Sequence, residues 1–322
     1  MDEFSFINAI KQNYYKQSSL IKGIGDDAAV FTQTSKGIVT AVDTFVEHVH
    51  FSKETMSPFH VGYRTLAANI SDLAAMGATP AFYLVSIVVP PSWADEDLKD
   101  IFQGMNSLAH KHHLDLIGGD TVSGSELVIT ITVIGYVPKD KVRYRHTAQA
   151  EDIVFVTGTL GDSQAGLHIL QDKGQYIDED YFIKRHRMPE PKVNFAKRLR
   201  HISRVTLNDI SDGLANEASE IAEASRVNIV LKDDLIPLHP SLSQFPMSLQ
   251  HKWAYFGGED FELLGTVARK NWDQVKVIAK QTNTSVTEIG YIEECPVTLG
   301  QVYLMKDHKK QRLHKKGYTH LK

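Results

Sequence analysis

Six short stretches of this chain each aim a carboxylate out of a junction of small residues. They are GIGDD with Asp26 and Asp27, AVDT with Asp43, NISD with Asp72, IGGD with Asp120, DISDG with Asp209 and Asp212, and GGED with Glu259 and Asp260. Any one of them reads as an aspartate favouring a turn or a helix N-cap. The set as a whole points to other chemistry. Two unit charges about 4 Å apart repel by about 4 kcal/mol at an effective dielectric near 20, so carboxylates that converge need cations among them. Oxygen donors without Cys and with few nearby His select hard ions such as Mg²⁺, which is usually held by a few carboxylates plus the phosphates of a nucleotide.

GIGDDAAV (23–30) nearly fits the glycine-rich loop that cradles a dinucleotide pyrophosphate. Asp26 and Asp27 would repel an unshielded pyrophosphate, and the preceding KQSSLIK is a poor strand, so metal ions between carboxylates and phosphate are the better account. No G-x-x-x-x-G-K-[ST] loop and no H-R-D with D-F-G pair is present. GTLGDSQAG (158–166) leaves two readings open: backbone N–H groups that bind phosphate at a helix N-terminus, or a tight strand–helix turn capped by Asp162 or Ser163. Arg145 in a polar connector offers a cation for phosphate, or is a solvated linker residue. The histidines around His48–His50 and His110–His113 lack a matching Cys or carboxylate spacing for zinc.

The elements that must position these groups alternate between strand and helix signals. GIVTAVDTFV reads as a strand ending near Asp43, and PFHVGYRTLAANISDLAAMGA as a helix stopped by Gly77. AFYLVSIVVPP is a buried strand, ADEDLKDIFQGMNSLAHKHH an amphipathic helix, LDLIGGD a short strand entering a glycine turn, and ELVITITVIGYVP a period-two strand. After the polar stretch Lys139 to Asp152 the order strand, glycine turn, helix recurs twice, in IVFVTGTLGDSQAGLHILQ and RVTLNDISDGLANEASEIAEAS. HKWAYFGGEDFELLGTV then sets a glycine turn between an aromatic segment and a strand. This predicts a two-domain α/β (α+β) chain, with residues 1–138 and 152–322 joined by a connector at 139–151. The 322 residues are 42% hydrophobic and 23% charged, which fits folded domains and not disorder. A net charge of -4 argues against nucleic-acid binding through a broad basic surface. One cysteine, Cys295, permits no internal disulfide. The acidic N-terminus and apolar runs far short of about 20 residues predict a cytoplasmic protein without signal peptide or membrane span.

With these motifs laid out, the chain resembles the thiamine-monophosphate kinases of the aminoimidazole-ribonucleotide-synthetase-like (PurM-like) superfamily. The resemblance runs in order through GIGDDAAV, VDTFVEHVHF, NISDLAAMGATP, LIGGDTVSG, VTGTLGDSQAG, IKRHRMPEP, NDISDGLANE, GGEDFELL and KGY, across nearly the whole chain. It implies a two-domain PurM-like fold whose N-terminal α/β domain forms the sheet of a homodimer. It implies ATP-dependent, Mg²⁺-assisted conversion of thiamine monophosphate to thiamine diphosphate by in-line transfer, the last step in making that coenzyme. The family's metal carboxylates fall on Asp27, Asp43, Asp72, Asp120, Asp209 and Asp212. Its ATP contacts fall on Gly119, Asp120, Arg145 and Ser211, and its thiamine-phosphate contacts on His50, Glu259 and Tyr318. Several Mg²⁺ ions are implied, and a monovalent cation is left open. No protein nucleophile is implied; turnover is metal-assisted through Asp43, Asp120 and Asp209. The chain departs from the family at Ala41–Val42, where hydroxyl residues are common.

Rival classes remain. Selenophosphate synthetase would carry a reactive Cys near the N-terminus, whereas Cys295 lies near the other end. A non-catalytic metal–nucleotide binding protein would keep the fold without turnover. A nicotinamide-dependent dehydrogenase would need no Mg²⁺.

Overall fold

Period-two alternation builds the first sheet, in the computed structural model that describes residues 10–12, 14–24, 28–32, 35–172, 174–296 and 299–316. The chain forms two units, Met1–Leu73 with Ala78–Asp140, and Ala74–Gly77 with Lys141–Lys322. The first contains β1 (Leu20–Lys22), β2 (Val30–Phe31), β3 (Gly37–Val46), α1 (Pro58–Ala75), β4 (Thr79–Val89), α2 (Asp95–His112), β5 (Asp115–Ser123) and β6 (Val128–Val137). Its four-stranded sheet has the order β3-β6-β4-β5, and β1 pairs with β2 as a separate ribbon. All neighbours are antiparallel except β4 and β5.

Register decides what each face of this sheet carries. Asp43 and Phe45 of β3 lie opposite Ile131 and Ile129 of β6, which lie opposite Val85 and Ile87 of β4. The apolar members of that row are buried. α1 covers this face, since a Cβ on Gly135 would lie 3.3 Å from a Leu73 methyl. The other face carries Thr40, Thr44, Thr130, Thr132 and Ser86 together with Ile38 and Val42, which are 52% and 60% exposed. The helical period and the stop at Gly77 hold for α1, with Gly77 at φ +68°. α2 likewise starts with Asp95, Glu96 and Asp97 and ends with His113 in the left-handed region, as favoured by the helix dipole and C-cap geometry.

The strand at LDLIGGD departs from expectation. No turn forms at the glycines: β5 continues through Gly118, Gly119 and Asp120 to Ser123, with a register irregularity against β4 between Leu116 and Gly118. Gly119 is needed there because a Cβ would sit 1.9 Å from the Val85 carbonyl oxygen on β4. A glycine that permits close strand pairing looks identical in sequence to one that permits a turn. The segment before Gly23, poor in strand signal, still contributes the three residues of β1, and Phe31 of β2 packs at 5.0 Å from the Phe82 ring.

The second unit comprises β7 (Ile153–Thr157), α3 (Asp162–Gln171), α4 (Glu179–Arg187), α5 (Val193–Arg198), β8 (Val205–Asp209), α6 (Leu214–Ser225), β9 (Val227–Lys232), α7 (Met247–Phe256), β10 (Leu263–Val267), α8 (Trp272–Gln281), β11 (Val286–Glu294), β12 (Val302–Lys306) and β13 (Lys309–Arg312). Its seven-stranded sheet runs β13-β12-β9-β11-β7-β10-β8, with only β12 and β9 parallel. Residues of β7, β9, β10 and β11 bury one apolar face against Leu214, Ala218, Ile221 and Ala222 of α6. The aromatic segment HKWAYF is the C-terminal part of α7. Among the described residues no helix is long and apolar enough to cross a membrane.

The helices α1 and α2 meet through glycines. A Cβ on Gly62 would lie 1.9 Å from the Ile101 carbonyl oxygen, and one on Gly104 1.9 Å from that of Phe59. Backbone cannot step aside as a flexible side chain does, so Gly62→Ala is expected to destabilise by about 1–3 kcal/mol or more. Chemical denaturation of the variant measures this; unchanged stability would contradict the close helix approach.

Candidate active site

In the first unit, Asp43 is the group from which the site is built. It lies on the covered face of β3, and its backbone N–H donates to Oδ1 of Asn69 on α1 at 3.1 Å. Asn69 is wholly buried, and its Nδ2 donates to the Thr65 carbonyl at 3.0 Å, which fixes its orientation. α1 is thereby held along the edge of β3, and Asp72, one turn further, meets Asp43. The Asp43 carboxyl is raised above the ordinary carboxylate range by burial, against the opposing effects of a side-chain hydrogen bond with Asp72 and of nearby His50. Two carboxylates in hydrogen-bond contact hold a proton between them or require a cation.

His50 stands on the loop after β3. Its Nδ1 accepts the Val46 N–H at 3.0 Å, so this nitrogen carries a lone pair and the ring proton resides on Nε2. The loop is pinned by Glu47, which is 6% exposed and whose Oε2 accepts from Trp93 Nε1 at 3.0 Å and from Leu127 N–H at 3.2 Å. Lys53 caps the same anchor, its ammonium 4.2 Å from the Trp93 ring centroid. His48 takes φ +64°, the tight bend that returns His50 toward β3.

Gly119 and Asp120 sit on β5. Asp43, Ile131, Val85 and Gly119 form one transverse row across the sheet. Three strand spacings of about 4.8 Å separate its ends by about 14 Å. Asp120 follows Gly119, pairs in register with Ser86, is exposed, and accepts the Thr121 N–H at 3.0 Å. Asp43, Asp72 and His50 are therefore brought together, while Asp120 stands apart at the same level of the sheet. Among the described residues no group of three or more His, Cys, Asp or Glu side chains is assembled as a metal cage. Asp27, Asp26 and Tyr318 lie outside the described residues.

In the second unit, Asp209 ends β8 and is 4% exposed. Asn208 beside it accepts from Arg145 Nε at 3.0 Å and donates to Glu220 at 3.0 Å, and Arg145 completes the triangle with Glu220 at 3.2 Å. Arg145 is thus oriented by β8 and α6 instead of hanging free, with its side chain still 52% exposed. The turn Ile210–Gly213 packs directly on the GGED loop. Glu259 N–H donates to the Ser211 carbonyl at 2.7 Å, and a Cβ on Gly258 would lie 2.1 Å from the same oxygen.

Glu217, which the motif pattern did not single out, organises that turn. It is 3% exposed, and its Oε1 accepts from Asp212 N–H at 2.9 Å and Ser211 Oγ at 3.3 Å. Burial pushes its carboxyl up to about 8; the Asp212 N–H opposes this, while the charges of Asp212 and Asp209 add to it. The signal was present as an acid near the start of a helix, in DGLANE, where side chains satisfy free N–H groups.

GTLGDSQAG proves to be closed to phosphate at its first N–H groups. Gly161 and Ser163 N–H donate to the Asp260 carboxylate at 2.7 and 3.0 Å, so the N-terminus of α3 is capped by an acid 97 to 99 residues away. Neither Asp162 nor Ser163 caps it. Asp162 instead accepts from Thr159 at 2.5 Å and Tyr181 at 2.7 Å, and pairs with Arg185 at 3.5 Å. Arg185 also holds Glu262 at 2.8 Å, which Lys192 reaches at 3.1 Å.

Family models match both halves of the chain: AIR synthase related protein, N-terminal domain, over residues 25–137, and AIR synthase related protein, C-terminal domain, over residues 149–300. The chain is 45% identical to the thiamine-monophosphate kinase of Bacillus subtilis (strain 168), covering 100% of both, and 36% identical to that of Haemophilus influenzae, covering 91% and 90%. A crystal structure of thiamine-monophosphate kinase from Stenotrophomonas maltophilia superposes with a TM-score of 0.82 at 31% identity, covering 92% of this chain and 94% of that one. A structure of AaThiL complexed with AMPPCP and TMP gives 0.77 at 29% identity, covering 99% and 97%. The hydrogenase maturation protein HypE of Escherichia coli, at 19% identity and a TM-score of 0.78, shares the fold.

The His50 geometry carries a spectroscopic expectation. Long-range ¹⁵N–¹H correlation should find the His50 proton on Nε2 and an unprotonated Nδ1, with the signal assigned by its loss in His50→Gln. A proton on Nδ1 would contradict the Val46 hydrogen bond.

Proposed function

The chain belongs to the thiamine-monophosphate kinases, within the family of AIR synthase related proteins, and from this we propose how its residues serve that reaction. The enzyme phosphorylates thiamine monophosphate with ATP. A terminal phosphate oxygen of thiamine monophosphate forms the new bond to the γ-phosphorus as the bond to the β–γ bridging oxygen breaks, and ADP leaves. Such transfers depend on positioning and charge neutralisation more than on covalent help, and a phosphate monoester is largely ionised at neutral pH without a general base.

The hydrogen-bonded pair Asp43–Asp72 is the observation that carries the site assignment. An all-oxygen pair that must otherwise share a proton fits Mg²⁺, which these two residues would hold; Asp27, Asp120, Asp209 and Asp212 are proposed as ligands of the further Mg²⁺ ions. Bound Mg²⁺ neutralises phosphate charge between donor and acceptor. Ala41 and Val42 bring no hydroxyl to this group, so β3 contributes the Asp43 carboxylate alone from its side chains there.

With Nδ1 held by the Val46 N–H, the His50 Nε2–H is a donor that suits the anionic phosphate of the acceptor. Glu259 supplies a carboxylate suited to the cationic thiazolium or the amino group of thiamine, and Tyr318 is the third acceptor contact. Arg145, oriented by Asn208 and Glu220, keeps its half-exposed guanidinium for ATP phosphate; Ser211, Gly119 and Asp120 are the other ATP contacts we assign. The Thr-rich face of the first sheet, with exposed Ile38 and Val42, supports a homodimer in which a second copy covers it.

Two measurements test this. Purified protein with ATP, Mg²⁺ and thiamine monophosphate should yield thiamine diphosphate on chromatography; no product there, with product from another acceptor, overturns the activity. Asp72→Asn and Asp120→Asn each remove charge and keep shape. Each should cut turnover at least tenfold at fixed Mg²⁺ and raise the Mg²⁺ concentration for half-maximal rate, with unfolding unchanged. Wild-type Mg²⁺ dependence in both would refute the ligand assignment.

A further inference from the structure

We infer that Asp260 and Arg185 are positioning residues that set acceptor affinity by fixing the backbone from which Glu259 projects. The inference rests on Glu259 as an acceptor contact. Glu259 and Phe261 both adopt left-handed backbone, at φ +70° and +50°, a conformation that costs non-glycine residues on the order of 1 kcal/mol or more each. The residue between them is wholly engaged inward: Asp260 is 1% exposed and each carboxylate oxygen accepts one backbone N–H at the start of α3. The flanks are tied as well, Glu259 N–H to the Ser211 carbonyl and Phe261 N–H to the Ile210 carbonyl at 3.0 Å.

Arg185 locks this arrangement from the other side. Its guanidinium spans Asp162 and Glu262 and approaches the Asp260 carbonyl at 3.4 Å. Three buried acids, Asp162, Asp260 and Glu262, thus surround one arginine, with Lys192 on Glu262. Burial and the Asp162 charge push the Asp260 carboxyl up to about 7, against Arg185 and the two N–H groups. A network of this kind pins a strained loop in one conformation, with Asp260 buried inward and the adjacent Glu259 only half-buried.

The test is a double-mutant cycle on the full enzyme at pH 8, where Asp260 is ionised, with Asp260→Asn, Glu259→Gln and the pair. An amide at 260 turns a donor toward one of the two N–H groups, so the loop must rotate. Asp260→Asn should raise the KM for thiamine monophosphate about tenfold, leave the KM for ATP within twofold, and add less than twofold to the effect of Glu259→Gln in the double variant. Plain structural damage would lower kcat through the folded fraction and spare KM. Independent, multiplying effects overturn the positioning role alone. A Glu259→Gln enzyme with normal KM overturns the acceptor contact itself, and the proposal with it. Should Asp260→Asn fail to fold, Arg185→Lys keeps the charge but loses the fork that bridges Asp162 and Glu262, and the same KM pattern is required of it.

Discussion

Asp43 and Asp72 touch where electrostatics alone would drive them apart, and the first unit is arranged to keep them so. The contact is made by two elements of different type. β3 delivers Asp43 on its covered face, and α1 delivers Asp72, with Asn69 one turn earlier bonded to the Asp43 backbone. The helix cannot slide along the strand without losing this partly buried hydrogen bond, which leaves the Asp43 N–H without its partner. Stability of the fold therefore holds open a like-charged pair that only a proton or a cation can relieve. This constraint is what the proposed Mg²⁺ assignment of the pair rests on.

The second unit uses its acids in two opposed ways. Asp162, Asp260 and Glu262 are buried and bonded to Arg185, Lys192, backbone N–H groups and the Thr159 and Tyr181 hydroxyls, so they hold structure. Asp209 and Asp212 stand at the end of β8 around Glu217, whose carboxyl rises toward neutrality because their charges oppose its ionisation. Glu217 can then bind the Asp212 and Ser211 turn with less added repulsion. Acids that hold structure are neutralised locally, whereas Asp209 and Asp212, proposed here as metal ligands, lie near a carboxyl that yields its charge.

Much of this was legible in the sequence, and the parts that were not share a cause. The helical period of PFHVGYRTLAANISDLAAMGA, its stop at Gly77, and the strand–turn–helix order around DISDG are local signals, and each forms as read. The ordered motif set also carried the family. IGGD was misread as entering a turn because Gly119 answers to the Val85 carbonyl of a strand about 30 residues earlier, which no local pattern encodes. Asn69, Glu217 and Arg185 escaped notice for the same reason: each looks like an ordinary polar residue of a helix, and its meaning lies in a distant partner. GTLGDSQAG left phosphate binding and capping equally open, and the cap came from Asp260, which no spacing within the loop could indicate.

GGED sets side by side an acid that holds the fold and one proposed to serve a ligand, in two adjacent residues. Glu259 and Asp260 are chemically near-equivalent, and composition cannot separate their roles. Backbone conformation does. Gly258 admits the Ser211 carbonyl to a distance that any side chain would forbid, and this anchors the loop at its start. The left-handed turns at 259 and 261 then place Asp260 inward, at the α3 N-terminus where a fixed anion is most stabilised, and exempt Glu259 from that duty. A helix N-terminus that would otherwise attract phosphate is filled from within. The strain at Glu259 and Phe261 is thus offset by the two N–H bonds that seat Asp260 at that terminus.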